Sequence, residues 1–247
     1  MIVQRRRYVD AILRHMETKK QLRSRVLARR DALPEDVRAR KSAAICARLE
    51  QELADALEGA PGGTSAGTPD AAGGWTPTVA VFASMRSEVD TRAFVDAAYE
   101  RGWRVCFPCM VREDAGSAGV AGAGADGAAG AGAAAPSRMA FYRVEREQLE
   151  AAQTGFLGAP LRCLACAALE RDGYHAVAPG ELDAVVVPLV AFDDAGRRLG
   201  YGGGNYDQLL PRLRSDAVVM GVAFDEQRVD AVPCEPHDVT LPRVVSA

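Results

Sequence analysis

A chain of 247 residues, 48% hydrophobic and 26% charged, has the average make-up of a globular protein, and its length allows one larger domain or two small ones. A formal net charge of -3 draws it toward neither nucleic acid nor a membrane surface. No run of about 18 apolar residues occurs, which excludes a membrane-spanning helix. The expected partner is a small molecule, and the protein is expected to be a cytoplasmic monomer.

The first residues, MIVQRRRYVDAILRHMETKK, are basic but lack an apolar core followed by a cleavage site, so they do not read as a secretory leader. Residues 1–17 are taken as an N-terminal extension with Arg5, Arg6 and Arg7 in solvent. From Thr18 the pattern is helical: Leu22, Val26 and Leu27 recur at helical spacing. After Leu33-Pro34, the series Val37, Ile45, Leu49, Leu53 and Leu57 lines one face of a second helix. Pro34 suits a first turn, with Glu35 and Asp36 placed against the helix N-terminus. Residues 59–77 are a low-complexity linker, and VAVFASM (79–85) is a buried strand. Thr91 opens a short helix that Gly102 ends.

WRVCFPCM is the next strand. Residues 115–136 are almost all glycine and alanine and cannot repay ordering entropy, so a disordered surface insertion without a catalytic role is expected. MAFYRV resumes a strand, LDAVVVPLVAFD (182–193) is the most apolar one, and a helix is expected from Tyr206 to Leu213. AVVMGVAFD (217–225) and PRVVS (242–246) complete the strands. Strands alternating with helices predict an α/β fold, a single domain over 18–247 with a largely parallel central sheet flanked by helices and a helical N-terminal section. Two C-x-x-C pairs, Cys106/Cys109 and Cys163/Cys166, have zinc-site spacing. They lie on a strand and in an apolar stretch, so buried thiols are expected instead.

The segment RRLGYGGGNYDQLLPRL (197–213) places four glycines in five positions, Gly200 and Gly202 to Gly204. Each costs about 0.5–1 kcal/mol relative to alanine inside a regular element. Between a parallel strand and a helix, such a loop can turn its amides onto an anion, helped by the helix N-terminus. Arg197 and Arg198 add cations, and Asp207 could hold a magnesium ion bridging phosphate oxygens. Neither the Walker A pattern nor the dinucleotide fingerprint fits. From composition alone an anion site and a plain glycine-rich turn both stay open.

RRLGYGGGNYDQLL resembles the signature of the 5-formyltetrahydrofolate cyclo-ligases (5,10-methenyltetrahydrofolate synthetases), R-L-G-x-G-x-G-[YF]-Y-D. The likeness extends to the basic helix KKQLRSRVLARR (19–30), the strand-loop segment FASMRSEVDT (82–91), Pro108 at a strand end, and the tail GVAFDEQRVDAVPCEPHD (221–238). It implies a compact α/β domain that converts 5-formyltetrahydrofolate and ATP into 5,10-methenyltetrahydrofolate, ADP and phosphate, with magnesium. The formyl oxygen is phosphorylated, N10 attacks the activated carbon, and phosphate departs. Phosphoryl transfer of this kind needs charge neutralisation and alignment more than covalent help.

The resemblance assigns Lys19, Lys20 and Arg23 to ATP, with Arg23 also reaching substrate, and wraps Arg198, Leu199, Gly200, Tyr201, Gly202, Gly203, Gly204, Asn205 and Tyr206 around the phosphates. Asp207 and Asp238 match the magnesium-linked carboxylates, and Met85, Glu88 and Asp90 fall where the pterin and formyl group bind. Arg23, Glu88 and Tyr206 are the expected catalytic residues, while His237 is expected to orient its neighbour. Asn205 stands where the family has an aromatic residue, and Tyr201 replaces an arginine of some members. Two other readings are a sugar-phosphate isomerase or transferase and a non-catalytic nucleotide-binding module. The first lacks a lysine after Lys41, and the second has no need of Arg23, Glu88, Asp207 and Asp238.

Overall fold

The structure, a computed structural model, describes residues 17–58, 75–112, 137–151 and 155–247. Nearly all of the N-terminal extension, most of the 59–77 linker and the whole 115–136 insertion lie outside the described residues.

Helix α1 (Lys19–Asp31) starts at Thr18, whose hydroxyl accepts from the Gln21 amide while the Gln21 side chain accepts from the Thr18 amide, a reciprocal cap. The chain turns at Pro34 into α2 (Glu35–Glu58), which buries Ile45, Leu49, Leu53 and Leu57 on one stripe. Strand β1 (Thr78–Ala80) leads to α3 (Arg92–Glu100), which Gly102 ends with φ 75°. Strands β2 (Arg104–Arg112) and β3 (Arg138–Val144) follow, then α4 (Arg146–Glu150), β4 (Cys163–Ala165), α5 (Cys166–Arg171) and β5 (His175–Val177). These last four are too short for their periodicity to announce them. Strand β6 (Ala184–Pro188), the hairpin β7 (Ala191–Phe192) and β8 (Arg198–Leu199), α6 (Asn205–Leu209), β9 (Val218–Ala223) and β10 (Arg243–Ser246) complete the chain.

The main sheet runs in the order β10-β9-β6-β1-β2-β3-β5, and β4 also pairs with β2. Five of its seven pairings are parallel, and only β2–β3 and β3–β5 are antiparallel. Both faces are covered, which explains the unbroken valine run of β6. Ala184 and Val186 enter the cluster under α2 and α3, while Val185 and Val187 enter the opposite cluster with Leu209 and Leu241. Helix α1 packs Leu22 and Val26 against the hairpin through Val190, Ala191 and Leu199. Among the described residues no helix is long and apolar enough to cross a membrane.

Three predicted elements differ. The strand expected over 79–85 ends at Ala80, and the chain runs on from there as a loop toward α3. The apolar run 182–193 is not one strand: pairing with the sheet stops at Pro188, and the chain then folds back on itself as β7 and β8. The helix expected over 206–213 ends at Leu209 and tightens into a 3₁₀ turn over Leu210–Arg212, because Pro211 has no amide to continue it.

Candidate functional site

Strand β3 occupies one edge of β2 from Val105 to Val111, so β1 and β4 share the other, β1 at its start and β4 at its end. Pro108, Cys109 and Met110, near that uncovered stretch of edge, line a cavity of about 550 Å³ at the carboxyl ends of the parallel strands, where such sheets bind ligands. Phe82 and Met85 after β1, Met139 on β3 and Pro188 at the end of β6 make its floor apolar. The glycine loop, Lys19 and Arg23 of α1, and the tail residues Glu235, His237 and Asp238 also line it, and Lys19 with the tail carboxylates makes a charged corner.

The loop needs its glycines at two places. Gly202 has φ 104° and Gly204 φ 66°, the left-handed region that side chains disfavour. A Cβ on Gly202 would stand 3.5 Å from the Arg23 guanidinium, whose Nε donates to the Gly200 carbonyl at 2.9 Å. Buried Leu199 anchors the loop's start in the α1 cluster, and Gly204 starts α6. Asn205 Nδ2 lies 3.7 Å from Met110 Sδ, so it faces β2 as a half-buried polar group. The short α6 offers a weaker N-terminal field than the predicted helix would.

Glu88 is buried at the cavity wall, where its Oε2 accepts from the Met85 amide at 2.8 Å. Burial pushes its carboxyl above the usual range, against the opposing influence of Tyr201, the Met85 amide and Arg30. Arg30, almost wholly buried, donates from Nε to Ser87 Oγ at 3.0 Å and from Nη1 to the Tyr201 hydroxyl at 2.8 Å. Ser87 in turn donates to Asp31. Burial also pushes up the phenols of Tyr206 and Tyr201, both with help from the Glu88 charge.

In the charged corner, Lys19 Nζ lies 2.6 Å from Asp238 Oδ2 and 3.2 Å from Glu235 Oε2. Burial would raise the Asp238 carboxyl, but the Lys19 ammonium and the Glu235 amide outweigh it and hold it low. Glu235, His237 and Asp238 each offer a ligand atom within 4.8 Å of the others, the one such trio among the described residues. Asp207 Oδ1 accepts from Arg198 Nη2 at 2.8 Å and from the Val239 amide at 3.1 Å, and Arg198 also donates to the Val239 carbonyl. Loop and tail are thereby stitched together.

Of the predicted site residues, Lys19, Arg23, Met85, Glu88, Arg198 through Asp207 and Asp238 line this one cavity. Lys20 does not: it is exposed on the outer face of α1. Nor does Asp90, expected at the substrate; its carboxylate accepts from the Arg92 amide at 3.1 Å and pairs with the Arg92 guanidinium, a turn carboxylate at the start of α3. Arg197 and Arg198 are not free cations. Arg197 Nε is 2.6 Å from Asp193 Oδ2, and the Arg198 side chain, 5% exposed, is spent on Asp207 and the tail. His237 is exposed, with Nε2 3.3 Å from Glu235 Oε2.

Arg30, Ser87 and Arg86 escaped the sequence reading. Arg86 lines the cavity with φ 53°, and its position between Met85 and Glu88 was the signal available. Among the described residues the C-x-x-C cysteines do not form a group of three or more ligand atoms lying within 4.8 Å of one another. Cys106 and Cys109, three apart on a strand, join opposite clusters, and burial pushes their thiols to about 12 and about 11.

The profile of the 5-formyltetrahydrofolate cyclo-ligase family matches residues 75–247. The 5-formyltetrahydrofolate cyclo-ligase of Mycolicibacterium smegmatis is 30% identical over 229 residues, 93% of each chain. That of Escherichia coli K12 is 29% identical over 170 residues, 68% of this chain and 77% of its own. The solved 5,10-methenyltetrahydrofolate synthetase of Mycoplasma pneumoniae superimposes with a TM-score of 0.57 at 19% identity, covering 93% of this chain and 98% of that one. The Aquifex aeolicus synthetase does so with a TM-score of 0.55 at 21% identity, covering 92% and 89%.

Proposed function

The chain belongs to the 5-formyltetrahydrofolate cyclo-ligase family, and from that premise we propose that it converts 5-formyltetrahydrofolate and ATP into 5,10-methenyltetrahydrofolate, ADP and phosphate, with magnesium. One observation carries the reading. A single cavity joins a charged corner suited to a triphosphate and an apolar floor suited to a flat ring, and the glycine loop lies between them.

Lys19, Arg23 and the loop amides supply the positive side toward the phosphates. Met85, Met110 and Met139 offer a polarisable wall to the pterin, and Glu88 offers an acceptor for its N–H groups. Tyr206, at the head of α6, presents a hydroxyl beside the loop. A formamide oxygen is a poor leaving group; once it has taken the γ-phosphoryl group, N10 attacks the formyl carbon and the oxygen departs with phosphate. Arg23 is suited to that charge because its guanidinium already lies against the loop backbone.

Magnesium fits this corner by donor chemistry. Asp207 and Asp238 offer hard carboxylate oxygens, and both bonds that Asp207 makes go to Oδ1, leaving Oδ2. When bound, the ion would neutralise phosphate oxygens. Lys19 already performs that neutralisation for Asp238. Residues 18–247 working as one domain, a monomeric state and a cytoplasmic site belong to the same proposal; the six free thiols suit a reducing compartment.

The test is direct. Purified protein is given 5-formyltetrahydrofolate and magnesium, with and without ATP, and the near-ultraviolet absorbance of the methenyl product is followed. An ATP-dependent rise is expected. No rise sinks the reading, and a rise indifferent to magnesium removes the metal role of Asp207 and Asp238.

A further inference from the structure

Helix α1 brings two guanidiniums to the glycine loop from one face. Arg23 and Arg30 are related as i and i+7, with buried Val26 between them on the same stripe. Arg23 Nε donates to the Gly200 carbonyl at 2.9 Å. Arg30 Nη1 donates to the hydroxyl of the next residue, Tyr201, at 2.8 Å. The same Arg30 guanidinium reaches a second loop, because its Nε donates to Ser87 Oγ at 3.0 Å. Ser87 belongs to the turn 85–88, which is closed by two bonds of its own. The Glu88 amide donates to the Met85 carbonyl at 3.1 Å, and Glu88 Oε2 accepts from the Met85 amide at 2.8 Å.

Arg30 is a costly residue to bury. Its side chain is 3% exposed, and the carboxylate it pairs with, Asp31, lies 3.6 Å away on a side chain that is 59% exposed. Asp31 also accepts from Ser87 Oγ, which leaves the Ser87 lone pairs to receive Arg30. Two hydroxyls on separate loops thus take the directed bonds of one guanidinium. Arg30 lines no part of the cavity, whereas Arg86 and Glu88 on one loop and Tyr201 on the other do. Tyr201 belongs to none of the apolar clusters, so the bond from Arg30 is what orients its side chain.

We propose that Arg30 is a positioning residue whose planar fork ties the glycine loop, at Tyr201, to the turn 85–88, at Ser87, and so fixes the phosphate-facing wall of the cavity against the folate-facing wall. The inference rests on the proposed reaction and deepens it. Passing a phosphoryl group to a formyl oxygen needs both substrates aligned, and a misplacement of about 1 Å can cost roughly 100-fold in rate. Lysine is no substitute, because an ammonium gathers its donors at one point while Nε and Nη1 aim along separate directions.

Two variants leave the guanidinium in place and remove one partner each. Tyr201→Phe keeps the ring, whose centroid lies 5.9 Å from Arg30 Cζ, and Ser87→Ala loses a single hydroxyl. Each should lower kcat about tenfold, what one hydrogen bond to a charged group contributes. The KM values for ATP and 5-formyltetrahydrofolate should stay within about threefold. Both variants break one link, so the double variant should fall little further than either alone. In an Arg30→Lys background neither change should cost more than about twofold. A second readout needs no turnover: amide hydrogen exchange, followed residue by residue by NMR in the ligand-free protein. Ser87→Ala should quicken exchange about tenfold in the glycine loop, and Tyr201→Phe should do so in the turn 85–88, with melting within about 5 °C of wild type. Exchange quickened only in the loop that carries the substitution overturns the proposal, as do additive losses in kcat or a defect confined to the KM for ATP. Absence of activity in the wild type speaks against the reaction, whereas the exchange pattern still decides the role of Arg30.

Discussion

Two carboxylates on one cavity, Asp238 and Glu88, are pushed in opposite directions. Asp238 lies in the charged corner, where the Lys19 ammonium at 2.6 Å and the Glu235 amide outweigh burial and hold its carboxyl low. Glu88 lies by the apolar floor of Phe82, Met85 and Pro188, where burial prevails over its donors and pushes its carboxyl up. The charged corner is a set of mutually neutralised pairs, Lys19 with Asp238 and Arg198 with Asp207, ready to exchange partners with a phosphate or a metal ion. The floor is poor in charge and keeps one acceptor for neutral N–H donors. Under the proposed function, the same residue type would serve ionic recognition on one side and hydrogen-bond recognition on the other.

The largest effect is expected at Asp207, the pair that joins corner to tail. Asp207→Ala removes the partner of a guanidinium that is 5% exposed, and leaving that charge uncompensated costs about 3 kcal/mol of stability. Loss of turnover in that variant would therefore not separate chemistry from folding. Asp207→Asn retains an acceptor for Arg198 and for the Val239 amide. It should melt within about 5 °C of wild type while turnover falls at least roughly 100-fold. Near-normal turnover in Asp207→Asn would make the carboxylate a structural clasp and erase the distinction between corner and floor.

A smaller, sharper effect is expected at Lys19. Its ion pairs are part-exposed, with the lysine side chain 27% exposed, so Lys19→Met should change stability by less than about 1 kcal/mol. The KM for ATP should rise roughly tenfold while that for 5-formyltetrahydrofolate stays within about twofold, as expected when a charge-assisted contact to phosphate is lost. Equal changes in both constants would mean that the two halves are not chemically separate.

Much of this was legible in the chain. The valine run of β6, the stripe from Ile45 to Leu57 and Gly102 ending α3 follow from periodicity and backbone freedom, which are local. What was not legible depends on contacts across the fold. Arg197 and Arg198 read as cations for an anion because they adjoin the glycines, yet the β7–β8 hairpin turns them onto Asp193 and Asp207. Asp90 lies two residues beyond Glu88, and the turn into α3 aims it at Arg92 rather than at the cavity. Arg30 reads as one more charge on a basic helix; only the packing of α1 brings it to Tyr201. Adjacency in sequence reports which strand end a residue belongs to, and the partners that consume or free its charge come from elsewhere.

The smallest effect is expected at Arg86, the one cation set among the floor residues. Its φ of 53° puts a long side chain in the left-handed region, and its guanidinium takes part in no ion pair among the described residues. That backbone conformation costs a non-glycine residue about 1 kcal/mol, which glycine avoids. Arg86→Gly should therefore keep the melting temperature or raise it by about 1–3 °C. The same change removes a positive charge from the mouth of the apolar half, where a folate must pass with its glutamyl carboxylates. The KM for 5-formyltetrahydrofolate should rise about two- to fivefold, an effect that weakens as salt screens the attraction. The KM for ATP should hold, because the charged corner has its own cations in Lys19 and Arg23. A rise confined to ATP would move Arg86 to the phosphate side. A fall in melting temperature would show that the arginine holds the turn between Met85 and Glu88 instead of being tolerated there for its charge.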